Sequence, residues 1–175
     1  MSEHITELGQ VPASQTEEAI LTLQDDDPNC QAVYRGNNEE RYSYTVFRTD
    51  QGNANPEKRC DFLLVDAKQQ RAWYIELKGR NHWDIACQQL LRTHLHFTPQ
   101  LGFDDHNLRF RLVASSARSG MKVFRSYTSY RNLIMYLPSS KQFGLMFSSR
   151  SGNCKDYEVL ESTSIIPVDE ELVSK

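Results

Sequence analysis

Two neighbouring stretches, CDFLLVD at residues 60–66 and AWYIELK at residues 72–78, decide the fold of this chain. Both are rich in aliphatic and aromatic residues and are too short for typical helices, which predicts two β-strands. The polar stretch 67–70 between them has the length of a hairpin loop. If Asp66 pairs with Arg71 across this loop, Asp61 falls opposite Glu76. Opposed residues of an antiparallel pair point to the same face, about 5 Å apart.

The predicted hairpin gathers three charged side chains on one patch. Lys78 follows Glu76 by two residues, so both side chains point to the same face of the strand. Asp61 joins them from the opposite strand. Carboxylate oxygens are hard ligands of the kind that Mg²⁺ prefers. The sequence therefore predicts a divalent-cation site at Asp61 and Glu76, with the Lys78 amine beside it.

Asp61 and the run Glu76-Leu77-Lys78 resemble the signature of the PD-(D/E)XK nuclease superfamily. The match covers about residues 60–90, and Cys60 stands where the motif has proline. The resemblance implies that Asp61 and Glu76 hold Mg²⁺ or Mn²⁺ and that the Leu77 carbonyl adds a third oxygen. It also implies that Lys78 orients or activates the attacking water.

The same resemblance implies a fourth acidic group on the first helix. Glu18 is the best candidate, because Glu17 is engaged in a capping box. Glu39 and Glu40, just before the first predicted strand, are alternatives.

The family also carries a glutamine on the helix after the Glu-x-Lys strand. Gln88 fills that role here, with Gln89 beside it. Some exonuclease branches have a tyrosine after this glutamine, and Arg92 and Thr93 stand in its place. An exonuclease assignment is therefore disfavoured.

The order of predicted elements matches the family core. The pattern predicts a helix over residues 17–24, strands over 41–49, 60–66 and 72–78, a helix over 81–97 and a strand over 108–115. We therefore expect the α/β (α+β) class, with a restriction-endonuclease-like αβββαβ core and a mixed central sheet flanked by helices. Trp83 begins an apolar stripe on the second helix and is expected in the core.

The rest of the chain adds weaker expectations. A further helix is expected within residues 127–136, and a late hairpin is expected from residues 142–149 and 157–160. Residues 1–175 are expected to form a single domain, with polar tails at about residues 1–12 and 168–175.

Charge is distributed unevenly along the chain, whose formal net charge is −3. Residues 58–131, which include the predicted site, hold 13 Lys and Arg against 6 Asp and Glu. Local field decides whether a phosphate backbone is attracted, so this segment is the expected nucleic-acid surface. Tyr127 and Tyr130 are candidates for base stacking. The basic candidates for nucleic-acid contact are Arg80, Arg92, Arg118, Lys122 and Arg125, with Arg109, Arg111 and Arg131 as further members of the groove.

Other classes of protein are disfavoured by the sequence. No apolar run is long enough to cross a bilayer, and the first ten residues lack the features of a signal peptide. The four cysteines are scattered, which disfavours a zinc ribbon and a disulfide framework, so we expect reduced thiols in a cytoplasmic protein. His94 and His96 diverge by roughly 200° on a helix and are not expected to chelate zinc together.

The expected function is a metal-dependent nuclease that hydrolyses phosphodiester bonds, with DNA preferred over RNA. One alternative is a non-catalytic member of the same fold that binds nucleic acid or a protein. Another is an unrelated α/β interaction domain. The resemblance fits a stand-alone nuclease similar to Holliday-junction resolvases, and equally the cleavage subunit of a defence or mobile-element system. A homodimer or a larger nucleoprotein complex stays open.

Overall fold

The computed structural model describes residues 8, 11–51, 59–79, 81–116, 124–152, 156–160 and 164–167, the last of these as backbone only. In these ranges, ten β-strands form two sheets and two α-helices pack beside them. The strands are β1 Ala13–Thr16, β2 Ile20–Gln24, β3 Val33–Asn37, β4 Tyr44–Arg48, β5 Phe62–Asp66, β6 Arg71–Lys78, β7 Leu108–Ala114, β8 Phe143–Phe147, β9 Asp156–Val159 and β10 Ser164–Pro167. The helices are α1 Trp83–Leu101 and α2 Thr128–Met135.

The large sheet has six strands in the order β1-β4-β5-β6-β7-β8. Strands β4, β5 and β6 form an antiparallel meander, and β6, β7 and β8 run parallel to one another. Helix α1 makes the crossover from β6 to β7, which a parallel pair requires. The fold is therefore mixed α/β with a mixed sheet, as the sequence predicted.

Several predicted elements are confirmed. The hairpin β5–β6 has the predicted register, with Asp66 opposite Arg71. The strand over 41–49 is β4, and the strand over 108–115 is β7. The weakly indicated helix within residues 127–136 is α2.

Helix α1 begins near the predicted position but continues four residues beyond it, to Leu101. It ends at Gly102, whose φ of 67° is the left-handed conformation typical of a helix C-cap. Trp83 is buried at its start, as predicted.

The predicted helix over residues 17–24 is wrong. Strand β2 occupies Ile20–Gln24 and pairs antiparallel with β3, and strand β1, just before this region, pairs antiparallel with β4. The side chains of β2 alternate, with Leu21 and Leu23 buried and Ile20 and Thr22 exposed. A strand buries this alternating pair against the core, whereas a helix would turn the two leucines about 200° apart.

The predicted late hairpin is also wrong. Strand β8 is the edge of the large sheet, whereas β9 belongs to a second sheet in the order β10-β9-β3-β2. There β9 runs parallel to β3, with Gly36 opposite Glu158. The turn signals between β8 and β9 therefore mark a crossing from one sheet to the other.

The large sheet has a hydrophobic core on each face. The helix-side core packs α1 and α2 against residues such as Leu63, Tyr74 and Phe110. The strand-side core packs the second sheet against residues such as Trp73 and Ile75. The strand-side face also buries an ion pair between Arg111 on β7 and Glu158 on β9.

The expected single domain has these two cores on one shared sheet. Its expected polar tails fall largely outside the described residues, which exclude 1–7, 9–10 and 168–175.

Candidate active site

The candidate site lies where β5 begins and β6 ends. Phe62 pairs with Ile75, so Asp61 and Glu76 occupy the next position of the ladder. The Leu77 N–H donates a hydrogen bond to Asp61 Oδ2 at 2.6 Å. On the other side, the Thr49 N–H donates to the Asp61 carbonyl at 3.1 Å. The predicted hairpin geometry thus fixes the backbone and carboxylate of Asp61 between two neighbouring strands.

Glu76 is a fully buried carboxylate that pairs with Lys78 and lies beside Asp61. Its side chain is 0% exposed, and it shares the helix-side face of β6 with Tyr74. Its Oε1 lies 2.7 Å from Lys78 Nζ, an ion-pair contact. Lys78 and the backbone of Asp61 favour the ionised carboxylate. Burial raises the pKa of Glu76 well above its ordinary value, and the nearby Asp61 raises it further.

Asp61 is partly exposed, but its surroundings also disfavour the ionised form. Burial raises the pKa of Asp61 to about 7, against the lowering effect of the Leu77 N–H bond. Asp50 and Asp25 contribute further repulsion, and Lys78 opposes it. A cation bound beside Asp61 and Glu76 would remove this penalty and favour both ionised carboxylates.

Lys78 lies at the rim of the site, with 26% of its side chain exposed. Burial lowers its pKa, but the attraction of Glu76 outweighs burial and leaves the pKa of Lys78 raised. Without a bound cation, Lys78 is therefore an ammonium group held by Glu76.

Sequence reasoning missed three residues near the site. Cys30 is half-buried, and its Sγ lies 4.0 Å from the Leu77 carbonyl oxygen. Asp25 and Asp50 are close enough to perturb Asp61 electrostatically. Asp50 closely follows β4, and the antiparallel pairing of β4 with β5 places it near Asp61. The two predicted neighbouring strands were the signal from which this proximity could have been inferred. Asp25 follows β2 and Cys30 precedes β3, and both strands belong to the other sheet. No local sequence pattern connects these two residues to β6.

The proposed fourth acidic residue loses its basis in the structure. Glu18 lies between β1 and β2, exposed, and not on a helix. Glu18 lines a cleft together with Arg48 and Phe62. Phe62 is the residue that follows Asp61 in the sequence. The role of Glu18 stays a prediction. The alternatives Glu17, Glu39 and Glu40 are exposed as well.

Of the two neighbouring glutamines, Gln88 is exposed on α1, whereas Gln89 is buried. The Gln89 Nε2 donates to the Arg59 carbonyl at 3.0 Å. Gln89 therefore ties α1 to the segment that leads into Asp61. The role predicted for Gln88 stays a prediction.

The predicted nucleic-acid contacts are distributed over several surfaces. Arg92 on α1 and Arg125 before α2 are exposed. Arg80, Arg118 and Lys122 lie outside the described residues. Arg111 is committed to its buried ion pair with Glu158 and cannot line an open groove.

The donors at the site fit a magnesium or manganese ion that keeps water ligands. In the described ranges, no group of three or more His, Cys, Asp or Glu side chains is arranged to hold a metal. Asp61 and Glu76 offer two carboxylates against the single positive charge of Lys78. Mg²⁺ is commonly bound by one or two carboxylates with waters and substrate phosphates in its remaining positions.

No described helix is long and apolar enough to cross a membrane. Cys30, Cys60 and Cys87 are free thiols.

Comparison with known proteins returns no relative: no family model, curated protein or solved structure matches this chain.

Proposed function

We propose that this protein is a metal-dependent nuclease that hydrolyses phosphodiester bonds, with DNA preferred over RNA. The observation that carries the proposal is the fully buried Glu76 carboxylate. It lies 2.7 Å from Lys78 Nζ and stands beside Asp61. Two ionised carboxylates beside one ammonium group leave one negative charge uncompensated, which a bound cation would neutralise.

The order of elements supports the same proposal. Strands β4, β5 and β6, helix α1 and strand β7 follow one another as in the βββαβ part of a PD-(D/E)XK core. This chain departs from the family pattern before β4, where strands β1 to β3 stand in place of the leading helix.

The side chains divide the chemistry between them. Asp61 and Glu76 would hold the metal, with the Leu77 carbonyl as a further oxygen donor. A bound Mg²⁺ or Mn²⁺ supplies Lewis acidity and lowers the pKa of water. Lys78, as an ammonium group, would orient the nucleophile or stabilise negative charge that develops on the phosphate. Gln89, through Arg59, would keep Asp61 aligned with Glu76.

The test is cleavage of plasmid DNA and of labelled DNA and RNA oligonucleotides in Mg²⁺, Mn²⁺ or EDTA. We expect cleavage with either metal and none in EDTA. Glu76→Gln, Asp61→Asn and Lys78→Met should each slow cleavage by about 100-fold or more, since each removes charge and keeps shape. Lys68→Met removes an exposed ammonium group in the loop at the other end of the β5–β6 hairpin, so it is the matched control for Lys78→Met and should cut like the wild type. Cleavage that persists in all three site variants would rule out this active site.

The Lys78–Glu76 contact favours one alternative function. An ammonium group 2.7 Å from Glu76 already offers a positive charge to that carboxylate. A non-catalytic protein of this fold that binds nucleic acid would keep such a pair. Binding without cleavage, with affinity that falls steeply as salt rises, would favour this alternative.

A further inference from the structure

A second feature, separate from Asp61 and Glu76, is a cleft of about 500 Å³ between α2 and the edge strand β8. We name it the α2–β8 cleft. Its polar walls come from α2 and the residues flanking it, and its floor comes from β8. The side chains that define it are Arg125, Tyr130, Arg131, Ser140, Phe143 and Leu145.

The cleft is basic, and so is the sequence around it. Arg125 and Arg131 are exposed, and Lys141 follows Ser140 at the rim. No carboxylate is among the described residues that line it. Residues 106–155 contain nine Lys and Arg and no Asp or Glu. The three exposed cations Arg125, Arg131 and Lys141 favour a polyanion at this surface. Asp105 is the acidic residue whose backbone contacts the neighbouring Gln142.

The floor of the cleft is apolar and firmly held. Phe143 stacks on Phe124 with ring centroids 5.5 Å apart, and Tyr130 contacts Phe143 edge-on at 5.2 Å. One guanidinium nitrogen of Arg131 donates to the Ser126 carbonyl at 3.2 Å, which orients that side chain. A basic wall over a hydrophobic floor suits a ligand with alternating phosphates and flat or apolar groups.

We propose that the α2–β8 cleft binds a single strand of nucleic acid, with phosphates on Arg125 and Arg131 and a sugar or base on Phe143 and Leu145. Grooves of this chemistry bind single strands in other proteins. The proposal deepens the proposed nuclease function and rests on it for the class of ligand.

The register of the large sheet relates the cleft to the candidate active site. Glu76 pairs with Leu112, and Leu112 pairs with Leu145. Leu145 therefore lies two strands from Glu76 at the same level and on the same face, about 10 Å away at the usual strand spacing. The cleft and the candidate site are thus on the same side of the large sheet, with the buried Leu112 between them.

The test measures binding without cleavage. A fluorescein-labelled oligothymidylate of 15 nucleotides is titrated in EDTA, and its anisotropy is followed at several salt concentrations. The Arg125→Glu/Arg131→Glu variant should bind at least about ten times more weakly than the wild type. The milder Arg125→Gln/Arg131→Gln variant should lower the slope of log affinity against log salt by about 1.4, for two lost single-strand phosphate contacts.

The matched control is the Arg41→Glu/Lys68→Glu variant, which reverses two exposed positive charges far from the α2–β8 cleft. It changes net charge equally, and its affinity should stay within a few-fold of the wild type. Equal losses of oligonucleotide affinity in the cleft variant and in the control variant would overturn the proposal that the cleft binds nucleic acid. Thermal melts of each variant verify folding, and the glutamine variant carries the test if the glutamate variant is unstable.

The design separates the two proposals. If the protein binds the oligonucleotide through the cleft but cuts nothing, the cleft proposal is supported and the nuclease proposal is contradicted. If it cuts with metal while the cleft variants bind like the wild type, the nuclease proposal is supported and the cleft proposal is contradicted. A wild type that fails to bind the oligonucleotide at low salt would overturn the cleft proposal directly.

Discussion

At the scale of single residues, the candidate site contains two carboxyl groups, Asp61 and Glu76, whose surroundings disfavour the ionised form. Burial is the main cause for both Asp61 and Glu76, and their mutual repulsion adds to it for Glu76. Two neighbouring buried carboxyl groups that share one ammonium group are rare in stable proteins. We therefore attribute their presence at the open end of the hairpin to a ligand rather than to stability.

This arrangement makes a prediction about stability and pH in EDTA. The pKa of Asp61 rises from 3.8 to about 7, and the pKa of Glu76 is raised as well, so the folded protein keeps protons that the unfolded chain releases. The contribution of these groups to the free energy of unfolding should therefore be highest below about pH 4, the unfolded-state pKa, and should fall as pH rises from there through 7. Urea unfolding at pH 5, 6, 7 and 8 measures it.

The control for this prediction is the Asp61→Asn/Glu76→Gln variant. Burial lowers the pKa of His94, which adds a pH dependence of opposite sign, but that contribution is common to both proteins. The difference between the wild type and the variant isolates the carboxyl groups. If wild-type stability, relative to the variant, rises between pH 5 and pH 8, the assigned burial effect is wrong.

The sequence predicted the central residues of the site because they depend on local geometry. Loop length and the two-residue period of a strand were enough to align Asp61, Glu76 and Lys78. Cys30 and Asp25 reach the site through long-range packing of the second sheet. No local pattern encodes such packing.

At the scale of elements, the failure over residues 17–24 shows how two local signals compete. Ser14 and Glu17 have the spacing of a capping box, which favoured a helix. Leu21 and Leu23 alternate with exposed residues, which favours a strand. Tertiary pairing decided between them: β1 pairs with β4 and β2 pairs with β3, and β2 buries Leu21 and Leu23 in the strand-side core.

The buried ion pair of Arg111 and Glu158 joins strand β7 of the large sheet to strand β9 of the second sheet. The Arg111 Nε donates to Glu158 Oε1 at 3.0 Å, and the Tyr34 hydroxyl donates to Glu158 Oε2 at 2.8 Å. Glu158→Gln leaves the guanidinium buried and unpaired, so it should destabilise the protein by about 3–5 kcal/mol. Urea denaturation followed by circular dichroism measures the loss.

Two further variants sharpen this prediction. Asp26→Asn breaks the exposed pair with Arg48 and should cost less than about 1 kcal/mol. Arg111→Met/Glu158→Leu removes both buried charges and should cost less than Glu158→Gln alone. A Glu158→Gln loss no larger than that of Asp26→Asn would show that the pair does not hold the sheets together.

At the scale of the whole molecule, the two cores share one sheet and should unfold together. Trp73 is buried in the strand-side core and Trp83 in the helix-side core, and the chain has two tryptophans. Trp83→Phe leaves a reporter of the strand side, and Trp73→Phe leaves a reporter of the helix side. In each variant, fluorescence and far-ultraviolet circular dichroism should give the same urea midpoint.

The contrary result would be informative about architecture. If Trp73 fluorescence changes at lower urea than circular dichroism does, the second sheet unfolds first and the two cores are separate cooperative units. The comparison is made within each variant, so the stability lost through the substitution itself cancels.

The second sheet is the feature of the whole molecule that sequence reasoning could not supply. Its strands come from both ends of the described chain, and β9 pairs in parallel with β3 across more than a hundred residues. Turn signals such as Arg150-Ser151-Gly152 indicate where the chain reverses, but not which strand it joins next. The large sheet was more predictable because consecutive strands build most of its antiparallel part.

The position of Cys30 gives the chain a natural attachment point at its candidate site. Burial raises the pKa of Cys60 and of Cys87 to about 12, which keeps both thiols unreactive. Cys30 is less enclosed, and its sulfur lies against the Leu77 carbonyl. With Cys154 replaced by serine, alkylation at alkaline pH would place a spin label or a cross-linker beside Leu77, near the end of β6. A ligand bound at this end of the hairpin would then shield the thiol and slow its alkylation.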